Sequence, residues 1–254
     1  MNGTFSPAPG GAPLLSQVRA QARMEALLML RNGEQLLLAV VIPLVVLVGG
    51  LYAAERVDLG IDGKPIDVLA PGVLALAIMS TAFTSVAIAT GFERRYGLIK
   101  RLGASPLPRH GLLLGKVAAL VLVELLQVVV VCVAAGLLGW RPDVSVLGAV
   151  ATWLLGTAAF GALGLFLAGV LRAEATLALA NLVYLLLMVA GGVVVPADQY
   201  GPARDVIALL PSGALGEGMR AALGQGHVDW SALLVLACWS LIGGVLTART
   251  FRWE

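Results

Sequence analysis

Cysteine, histidine and charge are all scarce in this chain. The two cysteines, Cys132 and Cys238, lie inside apolar runs, which argues for small buried hydrophobes and against a disulfide framework or a cysteine metal site. The two histidines, His110 and His227, fall in separate loops without neighbouring ligand residues, so no metal chemistry is assigned to them. Charged residues make up 13% of the 254 positions against 59% apolar, and the mean hydropathy is +0.93. Soluble globular domains carry about 25% charge, so this is an integral membrane protein. The N-terminal stretch lacks the early apolar core and cleavage pattern of a secretory signal, and no processing is expected there. No short-period repeat is present, which excludes a solenoid or an array.

A nucleotide site is lacking as well. The stretch from Gly111 to Gly115 and Lys116 superficially resembles a phosphate-binding loop, but its spacing is one residue short, Val117 stands where Ser or Thr would hold magnesium, and no strand precedes it. ATP hydrolysis, if it drives this protein, occurs on another chain. No cofactor is expected on this one, and nothing points to a nucleic-acid partner.

What the chain does contain is long apolar runs. A hydrocarbon core of about 30 Å needs roughly 20 apolar residues in a helix. Six runs qualify: Leu36 to Ala54, Leu69 to Gly91, Leu112 to Gly139, Ser145 to Leu171, Thr176 to Val195 and Trp230 to Ala248. Backbone groups cannot face lipid unsatisfied, so these runs are helices. The expected fold class is all-α, a polytopic membrane protein with six transmembrane helices. Twelve of the seventeen Lys and Arg fall on one side of this topology, while nine acidic residues fall on the other. The positive-inside rule then places both termini and the loop from Phe92 to Lys116 in the cytoplasm of a plasma-membrane protein.

The predicted organisation has a disordered Gly/Pro-rich lead over 1–13, a cytoplasmic interfacial helix over 14–33 and a six-span domain over 34–254. In the interfacial helix Leu15, Val18, Ala22, Ala26 and Met29 share one face, with Gln17, Arg19, Gln21 and Arg23 on others. The fourth run repeats Gly148, Thr152, Gly156, Phe160, Gly164 and Ala168 every four residues, a stripe for close helix packing. The segment over 196–229 has apolar residues at near-helical spacing broken by Pro211 and Gly213, which fits two short re-entrant or interfacial helices.

Polar residues inside the runs are few. Glu124 stands close to the bilayer midplane with Gln127 nearly a turn away, and a carboxylate there either lines a substrate or proton path or packs, hydrogen-bonded, between helices. Ser80, Thr81, Thr84 and Ser85 cluster in the second run, where hydroxyls pack against another helix more often than they line a path. Asn181 in the fifth run is of the kind that joins helices.

The loop after the second run carries Glu93, Arg94, Gly97, Leu98, Arg101, Leu102, Pro106, Gly115 and Lys116. A later stretch carries Val193 to Pro196, Ile207 to Pro211 and Ala214 to Arg220. In both, the chain resembles an ABC-2 type transporter permease, close to the daunorubicin-resistance-like drug exporters. Ser212 and Gly213 depart from the bulkier residues common after the proline. The resemblance implies a type V exporter-like architecture in which the loop over 92–111 holds a coupling helix seated on a separate nucleotide-binding ATPase subunit. Contacts would come from Glu93, Arg94, Arg95, Tyr96, Gly97, Leu98, Lys100, Arg101 and Leu102. Arg94, Arg95, Lys100 and Arg101 offer charge there, and Tyr96, Leu98, Ile99 and Leu102 offer an apolar anchor, the mixture a protein interface needs. The resemblance also implies ATP and magnesium on that partner, a second permease copy or a similar permease, and an external segment that includes Pro211, Glu217 and Arg220. Two other classes stay open: a secondary transporter using Glu124 as its proton carrier, and a non-transporting scaffold.

Overall fold

The computed structural model describes residues 12–31, 33–56, 63–98 and 108–250, and within them no strand occurs. Helix α1 (Leu14–Arg31) is followed by α2 (Gly33–Arg56), then by α3 (Pro65–Met79). A π-helical turn over Ser80–Ser85 joins α3 to α4 (Val86–Arg95). After α5 (Arg109–Leu137), α6 (Val146–Val170) and α7 (Ala173–Ala190) come a 3₁₀ turn (Ala197–Ala203), α8 (Arg204–Leu209), α9 (Pro211–Gly224) and α10 (Trp230–Thr250). Six of these segments are long and apolar enough to cross a membrane: α2, the continuous α3–π–α4 rod, α5, α6, α7 and α10.

The core forms around the α3–π–α4 rod. Its α3 face is buried from Leu69 to Met79, because α5, α6 and α9 all pack on it. Helix α6 presents its small-residue stripe to two neighbours. In its first half Gly148 and Thr152 meet Ala222 and Gly218 of α9, and Gly156 meets Leu215. In its second half Gly164 lies against the Phe83 carbonyl of the π turn, where an added Cβ would stand only 2.7 Å from that oxygen. Phe160, fully buried between these contacts, meets Phe83 edge-on at 6.3 Å. On another face α6 runs parallel to α10: Ser240 donates to the Leu155 carbonyl at 3.2 Å and Thr247 to the Ala162 carbonyl at 2.8 Å, seven residues later on both helices.

The structure departs from the sequence expectations in three places. The fifth run is helical only to Ala190. Gly191 to Val194 then pass as irregular, buried backbone between α3 and α9. Gly213 does not break the outer helices. The break falls at Leu210, where the chain is extended (φ −72°, ψ 147°), and Pro211 opens α9 at a first-turn position where its missing N–H is harmless. Gly213 lies inside α9 because its α-carbon crosses the Ile207 carbonyl; a Cβ would be 2.0 Å from it. Third, Gln21 shares the buried face of α1 with Ala22, Glu25 and Ala26, whereas Leu15 is 80% exposed. That face packs along the first turns of α5 rather than lying free.

Candidate functional site

One end of the bundle gathers α1, the end of α4, the start of α5 and the turn between α6 and α7. Lys116, two turns into α5, places its ammonium 2.7 Å from Glu93 Oε1 and 3.0 Å from Glu93 Oε2, and 3.7 Å from Glu25 Oε2. The other Glu25 oxygen accepts from Gln21 Nε2 at 3.0 Å. All three charged side chains are at most 18% exposed. They join α4, α5 and α1 at the two roots of the chain between Arg95 and Arg109. Partly buried ions are retained only when paired and hydrogen-bonded, and this cluster meets that condition. Gly115 makes it possible: α1 crosses α5 so closely that a Cβ there would lie 2.7 Å from Gln21 Cγ.

The residues proposed to contact an ATPase subunit separate into two groups. Arg94 turns inward, donating to the carbonyls of Ala168 and Gly169. Those carbonyls lie in the last turn of α6, where backbone oxygens lack helical donors and a cation is favoured. Glu93 is likewise committed to Lys116. Arg95, Tyr96 and Leu98 face outward, Tyr96 68% exposed, with Arg95 ion-paired to Glu174 at the start of α7. Gly97 turns the chain at φ +67°, a conformation L-residues avoid. Glu93, Arg94 and Arg95 belong to the end of the spanning rod itself rather than to a separate short helix. Lys100, Arg101 and Leu102 lie outside the described residues.

Deeper in the bundle, Glu124 is fully buried and its Oε2 accepts from Trp153 Nε1 at 2.7 Å and Thr157 Oγ1 at 2.8 Å, joining α5 to α6. Gln127 accepts from Thr81 Oγ1 at 2.8 Å and donates to the Ala39 carbonyl at 2.7 Å, so it joins α5, the π turn and α2. Ser80 and Thr84 lie half-buried in the same π turn. Asn181 is not brought to any of these; it is exposed, halfway along α7.

At the opposite end Arg220, 5% exposed, closes the irregular segment after α7. It donates to the carbonyls of Gly192 at 2.8 Å, Val193 at 3.1 Å and Val194 at 3.4 Å. Glu217 holds Arg220 at 3.1 Å and accepts from the Ala197 amide at 2.8 Å. Pro211 starts the helix that carries both.

Glu25, Gln21, Trp153 and Thr157 were not among the sequence candidates. Glu25 had a signal: it is the sole acid in α1, four residues after Gln21 and on the Ala22/Ala26 face. Trp153 and Thr157 had none, since they matter only because α6 turns that face to Glu124. The sequence model for the ABC-2 type transporter matches residues 16–223, from α1 to the end of α9 and so across both ends of the bundle. No curated protein matches the chain.

Proposed function

This chain belongs to the ABC-2 type transporter family, and from that premise we propose that it is the membrane-spanning subunit of an ATP-driven exporter for a hydrophobic drug, lipid or lipid-linked substrate. A separate nucleotide-binding subunit docks on the exposed Tyr96 and Leu98 at the basic end, which faces the cytoplasm, and a second copy or a similar permease completes the pore. The observation that carries this reading is the Lys116 cluster. A push on the segment between α4 and α5 reaches both helices at their roots, and through Glu25 reaches α1. Inside the membrane the motion is taken up at the π turn, whose local i→i+5 geometry marks a place where a long helix is interrupted. Two donors from α6 on Glu124 Oε2 support a packing role, while its buried Oε1 has no hydrogen-bond partner among the described residues and keeps the proton-carrier reading as the alternative.

Detergent extraction of the tagged chain from its native membrane tests the proposal. Wild type should bring down ATPase activity, Tyr96→Ala/Leu98→Ala should lose it, and Lys116→Ala should keep the partner while losing transport. If a complex shown to survive the detergent carries no ATPase, the reading fails.

A further inference from the structure

Between the end of α4 and the two-residue turn joining α6 to α7 lies a cavity of about 430 Å³, within the ~300–1,000 Å³ range of small-ligand sites. Its walls include Gly91, Arg94, Arg95, Val170, Arg172 and Glu174. Three guanidinium groups face one carboxylate, so the cavity carries a positive excess. Arg94 is fixed on the α6 carbonyls and forms the back wall, Arg172 is exposed at the rim, and Arg95 is held by Glu174, the one anion among the described residues that line the cavity.

We infer that this cavity binds the phosphate of an anionic membrane lipid. Its place at the turn between two membrane-spanning helices favours a lipid over a protein partner. α6 ends at Val170 and α7 begins at Ala173, so Leu171 and Arg172 alone connect two spans, and a cavity at that turn lies level with the headgroups. In its wall Val170 is 54% exposed, an apolar edge at the mouth of the cavity that suits an acyl chain. Basic pockets between membrane helices suit phosphate-bearing headgroups, with the arginine fork matched to phosphate oxygens. The lipid phosphate replaces the Glu174 carboxylate on Arg95. The inference goes beyond the proposed ATPase coupling and does not depend on it.

The test is binding of dioctanoyl phosphatidylglycerol to the purified full chain in neutral detergent. Bound lipid is counted by native mass spectrometry, with dioctanoyl phosphatidylcholine and inorganic phosphate as comparisons. Phosphatidylglycerol should bind in preference to phosphatidylcholine. Arg95→Gln/Arg172→Gln should weaken it about tenfold or more, at roughly fivefold per basic group near the surface. Glu174→Gln, which removes the competing anion, should tighten it, a change of sign that misfolding would not produce. Arg249→Gln, an exposed charge at the same end, should leave it unchanged. Equal binding by the double variant and wild type, or equal loss with Arg249→Gln, overturns the site. Competition by millimolar inorganic phosphate as effective as the lipid would reassign it to free phosphate. Loss of the ATPase partner with lipid binding intact would reassign it to a protein contact.

Discussion

Lys116 faces two carboxylates in a space with little water, so its removal leaves Glu93 and Glu25 repelling each other across the site it occupied. Lys116→Met should lower stability by ~1–3 kcal/mol, less than the 3–5 typical of a fully buried pair because some solvent remains. Adding Glu93→Gln should recover part of that loss. A double-mutant cycle from detergent unfolding measures it, and strictly additive losses would mean that the ions do not couple. Glu124 behaves differently because its role here is to accept. Glu124→Gln retains a carbonyl oxygen for Trp153 and Thr157 and should preserve folding and transport, whereas Glu124→Leu strands both donors at ~1–3 kcal/mol. Transport that responds to a pH gradient in wild type but not in Glu124→Gln would instead make the carboxyl a proton carrier. Sequence could mark Glu124 by its depth, yet not its partners. It could mark Arg94 and Arg95 as adjacent basic residues, yet only the end of α6 decides that one turns inward and the other out.

At the scale of elements, the stripe on α6 was legible because small residues four apart leave a groove whatever fills it. What fills it was not, since nothing in α6 specifies that α9 takes the first half and the π turn the second. The energetic consequence is local. Gly164→Ala would press a methyl into the Phe83 carbonyl, backbone that cannot swing aside, and should destabilise by ~1–3 kcal/mol. Gly244→Ala on α10, where an added Cβ meets nothing within 4 Å, should be neutral or slightly stabilising. Thermal unfolding of the two single variants checks this, and equal midpoints would deny the close crossing. The end of α7 departs from its hydropathy pattern for a related reason. Val193, Val194 and Val195 extend the apolar run, and hydropathy does not register that Arg220, 27 residues on from Val193, reaches back to donate to the carbonyls of Gly192, Val193 and Val194 once they leave the helix. Irregular backbone is tolerated at membrane depth only when so covered.

For the whole molecule, six spans follow from run length alone, but how the spans are covered does not. The α3–π–α4 rod is 72% buried while α7 is 22% buried, so the rod is surrounded and α7 lies at the edge. Much of the outward face of α7, with Leu182, Leu186 and Val189, suits lipid. Asn181 does not: among the described residues it has no hydrogen-bonding neighbour, and an unpaired amide at mid-span costs several kcal/mol in hydrocarbon. Interhelical hydrogen bonds from such residues contribute ~0.6–2 kcal/mol, enough to select one packing face among many apolar ones. We predict that the second copy proposed above supplies that neighbour by laying its own α7 against this one, Asn181 opposite Asn181 in a two-fold arrangement. With Cys132 and Cys238 replaced by serine or alanine, Asn181→Cys should form a disulfide-linked dimer in native membranes under mild oxidation. Leu185→Cys, one turn on, should do so more weakly, and Cys introduced at the buried Ala180 not at all. Cross-linking that is equal at the three positions, or absent from position 181, would place the partner elsewhere and leave the α7 amide facing lipid.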